Sequence, residues 1–134
     1  HMGATVDAFK ATHQTVVGLL EQIDSTGEQQ RVDALNSLKE VLLAHVGEEN
    51  NIILEAMDKP GAEGTFKPSA QRFMAELGDI AQIALLPFFD KYSSSEAVDS
   101  DDFANDFGGI KSALADRIAF EEGRFYPELE KLGF

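Results

Sequence analysis

Apolar residues return every three or four positions along four stretches of the chain, the repeat that draws a stripe down one side of an α-helix. In the first stretch, Val6, Phe9, His13, Val16, Leu20 and Ile23 predict a helix over residues 5–24, with Thr5 in the N-cap position. The second carries Leu35, Leu38, Leu42, His45, Glu49, Ile52 and Ala56 and predicts a helix over 29–57. A third, over 68–92, is apolar on more than one face, and Pro87 predicts a kink or an early end to its regular part. The fourth begins at the acidic run 99–102, which suits the positive end of a helix dipole, and carries Phe103, Phe107, Ile110, Leu114, Ile118, Glu121, Phe125, Leu129 and Leu132. No stretch alternates polar and apolar long enough to argue for a strand.

The connections fit this reading. Ser25, Thr26 and Gly27 end the first helix, and Gly133 stops the last. Residues 58–67, with Pro60, Gly61 and Gly64, form the longest predicted loop, after which Pro68 suits a first helical turn. Ser93, Ser94 and Ser95 open a polar connection, and Gly108 and Gly109 predict a weakened, irregular start to the fourth helix. The expected fold class is all-α: an up-down-up-down four-helix bundle forming a single domain over residues 3–134. His1 and Met2 read as a tag remnant, so His1 is not a ligand candidate.

Composition narrows the picture. With 134 residues, 43% apolar and ten Phe, the chain can bury one continuous core. It has 24 acidic against 11 basic residues, a formal charge of -13, which repels nucleic acid and anionic membranes and favours a cation as small partner. There is no cysteine, so any metal must be held by imidazole and carboxylate. No apolar run approaches the length of a membrane span and no leader pattern stands at the start, so the expected location is cytoplasmic. A helix starting directly after the remnant fits an excised domain as well as a whole protein.

The candidate chemistry lies in the polar residues that interrupt the apolar stripes: His13, His45, Glu49 and Glu121. Charged groups facing a bundle interior need partners or a metal. At 1.5 Å per residue, His13 and His45 lie about 21 and 27 Å from the turn near Gly27, so the two can share a layer. His45 and Glu49, four apart, project from one face of a helix. Taken singly, each histidine is more simply a hydrogen-bonded core residue, and Glu48, Glu122 and Glu128 are more simply surface acids. The aspartates near residue 100 lack the glycine and glutamate offsets of a calcium loop.

His13, the His45-x-x-x-Glu49 pair and the segment RIAFEEGRFYP, from Arg117 to Pro127, resemble the motif regions of hemerythrin-like HHE domains, over nearly the whole chain. The resemblance implies a non-haem iron site, of one or two ions, in the core of a helical bundle. His13 and His45 would be histidine ligands, and Glu49 with Glu121 or Glu122 the bridging carboxylates; Glu121 is preferred because it sits on the apolar stripe. The third helix should supply a histidine and has none, which leaves Glu76 as the nearest substitute. Arg117 stands where the family often has histidine, four residues before Glu121. It cannot ligate a cation but can pair with Glu121 or Glu49. The neighbouring Tyr126 can donate a hydrogen bond near the site.

Two readings of function follow. In the first, iron bound by His13, His45, Glu49, Glu121 and Glu76 serves oxygen or redox sensing or iron handling, with dioxygen or another diatomic as partner. In the second, the bundle is a metal-free regulatory or interaction module in which Arg117 neutralises the buried acids. No nucleophile arrangement, phosphate loop or zinc-protease motif points to a dedicated enzyme. A phosphotransfer domain requires an exposed histidine, whereas His45 falls on a buried stripe.

Overall fold

The computed structural model describes residues 3–134, and among them every regular element is helical. Helix α1 spans Ala4–Ser25 and α2 spans Glu28–Met57. Helix α3, Phe66–Ile80, passes through a π-helical turn, Ala81–Leu85, into α4, Leu86–Lys91. A short helix α5, Ser95–Val98, precedes α6, Asp101–Phe120, which passes through a second π turn, Glu121–Phe125, into α7, Tyr126–Lys131.

The interior is divided into two apolar clusters. One gathers Val16 and Ile23 of α1, Leu35 and Leu38 of α2, Phe88 of α4 and Phe107 of α6. The other gathers Val6 and Phe9 of α1, Ile53 of α2, Phe73 of α3 and Phe125 and Leu129 at the end of the chain. The long elements therefore run alternately from one cluster to the other. Each large side chain so buried contributes about 1.5–3 kcal/mol. Between the clusters lies a polar layer: His13 separates Phe9 from Val16, His45 separates Leu42 from Ile53, and Glu121 separates Leu114 from Phe125.

Local departures from the expected boundaries have physical causes. Thr5 does not cap α1. Gly3 takes the cap position in the left-handed region (φ 93°), and the free N–H groups of Thr5 and Val6 donate to the carbonyl of Phe134, each at 3.1 Å. Arg31 closes the opposite end by donating to the carbonyls of Ile23 and Val98, both at 3.0 Å, while its guanidinium lies over Phe103. The connection at 93–100 is partly helical, because the Ser94 hydroxyl accepts from the N–H of Ala97 and starts α5. Helix α6 runs regularly through Gly108 and Gly109, where an irregular start was expected.

Pro87 neither ends nor breaks the third rod. Proline has no N–H, and its ring presses on the carbonyl four residues back. The turn before it widens instead, so that the N–H of Leu86 donates to the carbonyl of Ala81, five residues back. Pro127 has the same effect, with Tyr126 donating to the carbonyl of Glu121.

Candidate metal centre

The second π turn assembles the site. In an α-helix, residues three or four apart share a face, and Tyr126, five beyond Glu121, would point elsewhere. The widened turn brings them together, and the Tyr126 hydroxyl donates to Glu121 Oε1 at 2.8 Å. Both acids of the Glu121-Glu122 pair reach one imidazole. His13 Nε2 lies 2.8 Å from Glu121 Oε1, and His13 Nδ1 lies 2.6 Å from Glu122 Oε2. On α2 the four-residue spacing places His45 Nε2 3.1 Å from Glu49 Oε2 and 3.6 Å from Glu121 Oε1.

His13, His45, Glu49 and Glu121 are the buried polar or charged residues among those described. Each offers one ligand atom, and these atoms all lie within 4.8 Å of one another. The four interior candidates thus converge from α1, α2 and the start of the second π turn. Tyr126, fully buried, reaches into the same cluster. Its hydroxyl lies 3.2 Å from His13 Nε2 and 3.3 Å from His45 Nε2 and also makes a short hydrogen bond to Glu49 Oε2. With a single proton to give, it donates to one carboxylate at a time and accepts from an imidazole N–H.

Glu76 is not brought to this cluster. Its side chain is 55% exposed on the outer side of α3, and its carboxylate faces the Arg117 guanidinium at 3.8 Å. Glu122 departs from the expected surface role, since it is only partly exposed and holds His13 Nδ1. That bond leaves Nε2 as the ring nitrogen turned toward the cluster, the arrangement by which a carboxylate orients a metal-ligating histidine. Arg117 lies against Phe73, with its guanidinium carbon 4.1 Å from the ring centroid. Its terminal nitrogen donates to the Phe73 carbonyl at 3.3 Å, and Nε stands 3.5 Å from Glu121 Oε2, an ion-pair contact without hydrogen-bond geometry.

Electrostatics follow from this packing. Burial alone would lower the pKa of His45, but hydrogen bonds and charge from Glu121 and Glu49 outweigh it and raise the value to about 9. His13 is raised in the same way by Glu121 and Glu122 against the effect of burial. Burial pushes Glu121 up, yet hydrogen bonds from His13, His45 and Tyr126 hold it far below the usual carboxylate range. Glu49 is raised by burial, with His45 opposing, and the Tyr126 phenol is raised by burial and both carboxylates. Without a metal, these contacts favour protons on the imidazoles beside the acids.

One atom is left over. Glu49 Oε1 is buried without a hydrogen-bond partner, an arrangement that costs free energy unless a cation or proton meets it. A cavity of about 40 Å³ adjoins the cluster, lined by Val16, Leu42, Leu77, Ile80 and Leu114 together with the polar groups. It has room for a water-sized ligand beside the donors. Two imidazoles and two carboxylates, with an orphaned carboxylate oxygen among them, fit a divalent transition-metal cation.

A helical bundle with an imidazole and carboxylate cluster between its apolar layers has the architecture in which cation sites can be built into a bundle core. The family model described as hemerythrin HHE cation binding domain matches residues 4–129, and the chain belongs to that family. No curated protein and no solved structure matches it. No helix among the described residues is long and apolar enough to cross a membrane.

Tyr126 is the main contributor that the periodic pattern does not place in the site. Its signal was nonetheless present: Pro127, six residues after Glu121 in a helical stretch, marks a disturbed turn.

Proposed function

We propose that the chain binds iron in its core through His13, His45, Glu49 and Glu121 and acts in oxygen or redox sensing or in iron handling. The observation that carries this reading is the convergence of four donor atoms within 4.8 Å, with Glu49 Oε1 buried and unpaired among them. Bound iron would supply a change of oxidation state and a coordination position for a small ligand such as dioxygen. The protein's own part is to hold the donors. Glu122 fixes the His13 tautomer, Tyr126 spans the carboxylates and imidazoles, and the apolar wall keeps bulk water away. Because His45 is protonated at neutral pH in the absence of metal, uptake releases protons and strengthens as the pH rises toward about 9.

Anaerobic loading with ferrous iron, followed by elemental analysis and visible absorption, tests the proposal. Wild-type protein retains iron, His45→Ala loses it, and Glu49→Gln binds it weakly while keeping its helicity. Normal iron content in both variants would exclude this donor set.

A second reading has its own support. Arg117 and the His45 imidazole, whose pKa is raised to about 9, already offset the acids, and His13 is shifted in the same direction, as a metal-free regulatory or interaction module requires. Absence of iron after anaerobic loading would favour that module.

A further inference from the structure

We infer that the centre is built for a single cation, because Arg117 occupies the half of the Glu121 carboxylate that a second ion would need. The inference rests on the cation-binding reading above. Glu121 divides its two oxygens. Oε1 faces His13 Nε2 at 2.8 Å, His45 Nε2 at 3.6 Å and the Tyr126 hydroxyl at 2.8 Å. Oε2 faces the opposite way, toward Arg117 Nε at 3.5 Å. A carboxylate that bridges two cations presents one oxygen to each, and here the second position is taken by a fixed positive charge that cannot coordinate.

Arg117 is held in place on several sides. Its side chain is 13% exposed and stacks on Phe73, with Phe120 also within cation–π range at 5.2 Å. It also donates to the Phe73 carbonyl and faces Glu76 at 3.8 Å. The wall on that side brings no replacement donor, since Leu77, Ile80 and Leu85 are what α3 and the first π turn offer to the cavity. Glu76 of α3 lies on the exposed side, paired with the same guanidinium. Two imidazoles and two carboxylates complete one four-donor set, and the remaining carboxylate nearby, Glu122, is taken up by His13 Nδ1 at 2.6 Å.

The chain contains an internal comparison. His45-x-x-x-Glu49 and Arg117-x-x-x-Glu121 have the same spacing, and in both the first side chain faces the carboxylate four residues on. Only the first pair joins a nitrogen ligand to an oxygen ligand. Arg117→His gives the second pair the composition of the first, whereas Arg117→Lys keeps the positive charge.

Anaerobic titration with ferrous iron, and separately with cobaltous ion followed by its visible absorption, reads the stoichiometry directly. Wild-type protein and Arg117→Lys should saturate at one ion per chain, and Arg117→His should take up additional metal beyond one. Two ions in the wild type or in Arg117→Lys, or a folded Arg117→His variant that stays at one, would overturn the inference and leave the cation-binding reading standing. No uptake by the wild type would sink the functional reading itself. Circular dichroism reports whether Arg117→His folds, and if it does not, the wild-type stoichiometry still decides.

Discussion

The two π turns share one backbone device and have little else in common. Ala81–Leu85 precedes Leu86-Pro87, Glu121–Phe125 precedes Tyr126-Pro127, and in each the residue before the proline donates to a carbonyl five positions back. The first turn consists of Ala, Gln, Ile, Ala and Leu, and what it gives the interior is the buried side chain of Leu85. The second holds Glu121 and Glu122 and is followed at once by Tyr126, three groups that meet His13. A widened turn before a proline is thus a local response to a missing N–H. It acquires chemistry only where the residues brought onto one face are polar and the opposing helices present imidazoles.

Substitutions at matched places separate the two roles, and the largest effect is expected at Glu121. Glu121→Ala leaves His13, His45 and Arg117 without their shared counter-ion, so stability should fall by about 3–5 kcal/mol and cation uptake should disappear. Leu85→Ala in the first turn should cost about 2–5 kcal/mol through the cavity it leaves, with cation uptake retained because no donor is removed. Denaturant unfolding and metal titration of both variants make the test, and retained uptake in Glu121→Ala would erase the contrast.

Next in size is a pH effect that belongs to the second turn and its partners. The pKa of His45 rises from 6.5 to about 9 on folding, so its contribution is complete below pH 6.5 and is lost as the pH climbs through 9. The change amounts to roughly 3 kcal/mol. Glu49, raised by burial, adds a loss of the same sign starting above its ordinary value of 4.5, and Glu121, depressed, loses its contribution as the pH falls below 4.5. Metal-free protein should therefore be most stable near pH 4.5, decline gently as Glu49 titrates, and fall more steeply above pH 6.5. Denaturation midpoints from pH 4 to 10 check this, and a flat profile between 6.5 and 9.5 would contradict the protonated cluster.

The smallest expected change in stability comes from the prolines themselves. Pro87→Ala and Pro127→Ala each restore an N–H and allow the turn to tighten, with stability changes of about 1 kcal/mol or less. Only Pro127→Ala should turn Tyr126 away from the cluster and weaken cation binding about tenfold or more, the usual effect of losing a group that supports the ligands. Equal affinities in the two variants would show that the second turn does not depend on its proline.

Much of the architecture was legible from periodicity, because a helix that buries one face must repeat apolar residues at its own pitch. The interior position of His13, His45, Glu49 and Glu121 could be read for the same reason: polar residues on an apolar stripe stand out. Glu76 was misplaced because the third helix is apolar on more than one side, and a stripe without a unique register cannot tell inward from outward. The apolar stripe favoured Glu121 over Glu122, but nothing in it showed that Glu122 also reaches His13, because that contact depends on how α1 lies against the turn. Both acids touch His13, one at each ring nitrogen.

The amino-acid order by itself determined the helical class, the polar residues on interior faces, and the prolines that disturb two turns, since these depend on spacing along one rod. Tertiary structure decided which groups meet: Tyr126 among four donors, Glu122 behind His13, and Arg117 between Glu121 and Glu76. Such encounters depend on the rotation of each rod about its axis and the level at which it lies against its neighbours. Both are set by packing of the two apolar clusters rather than by any local repeat.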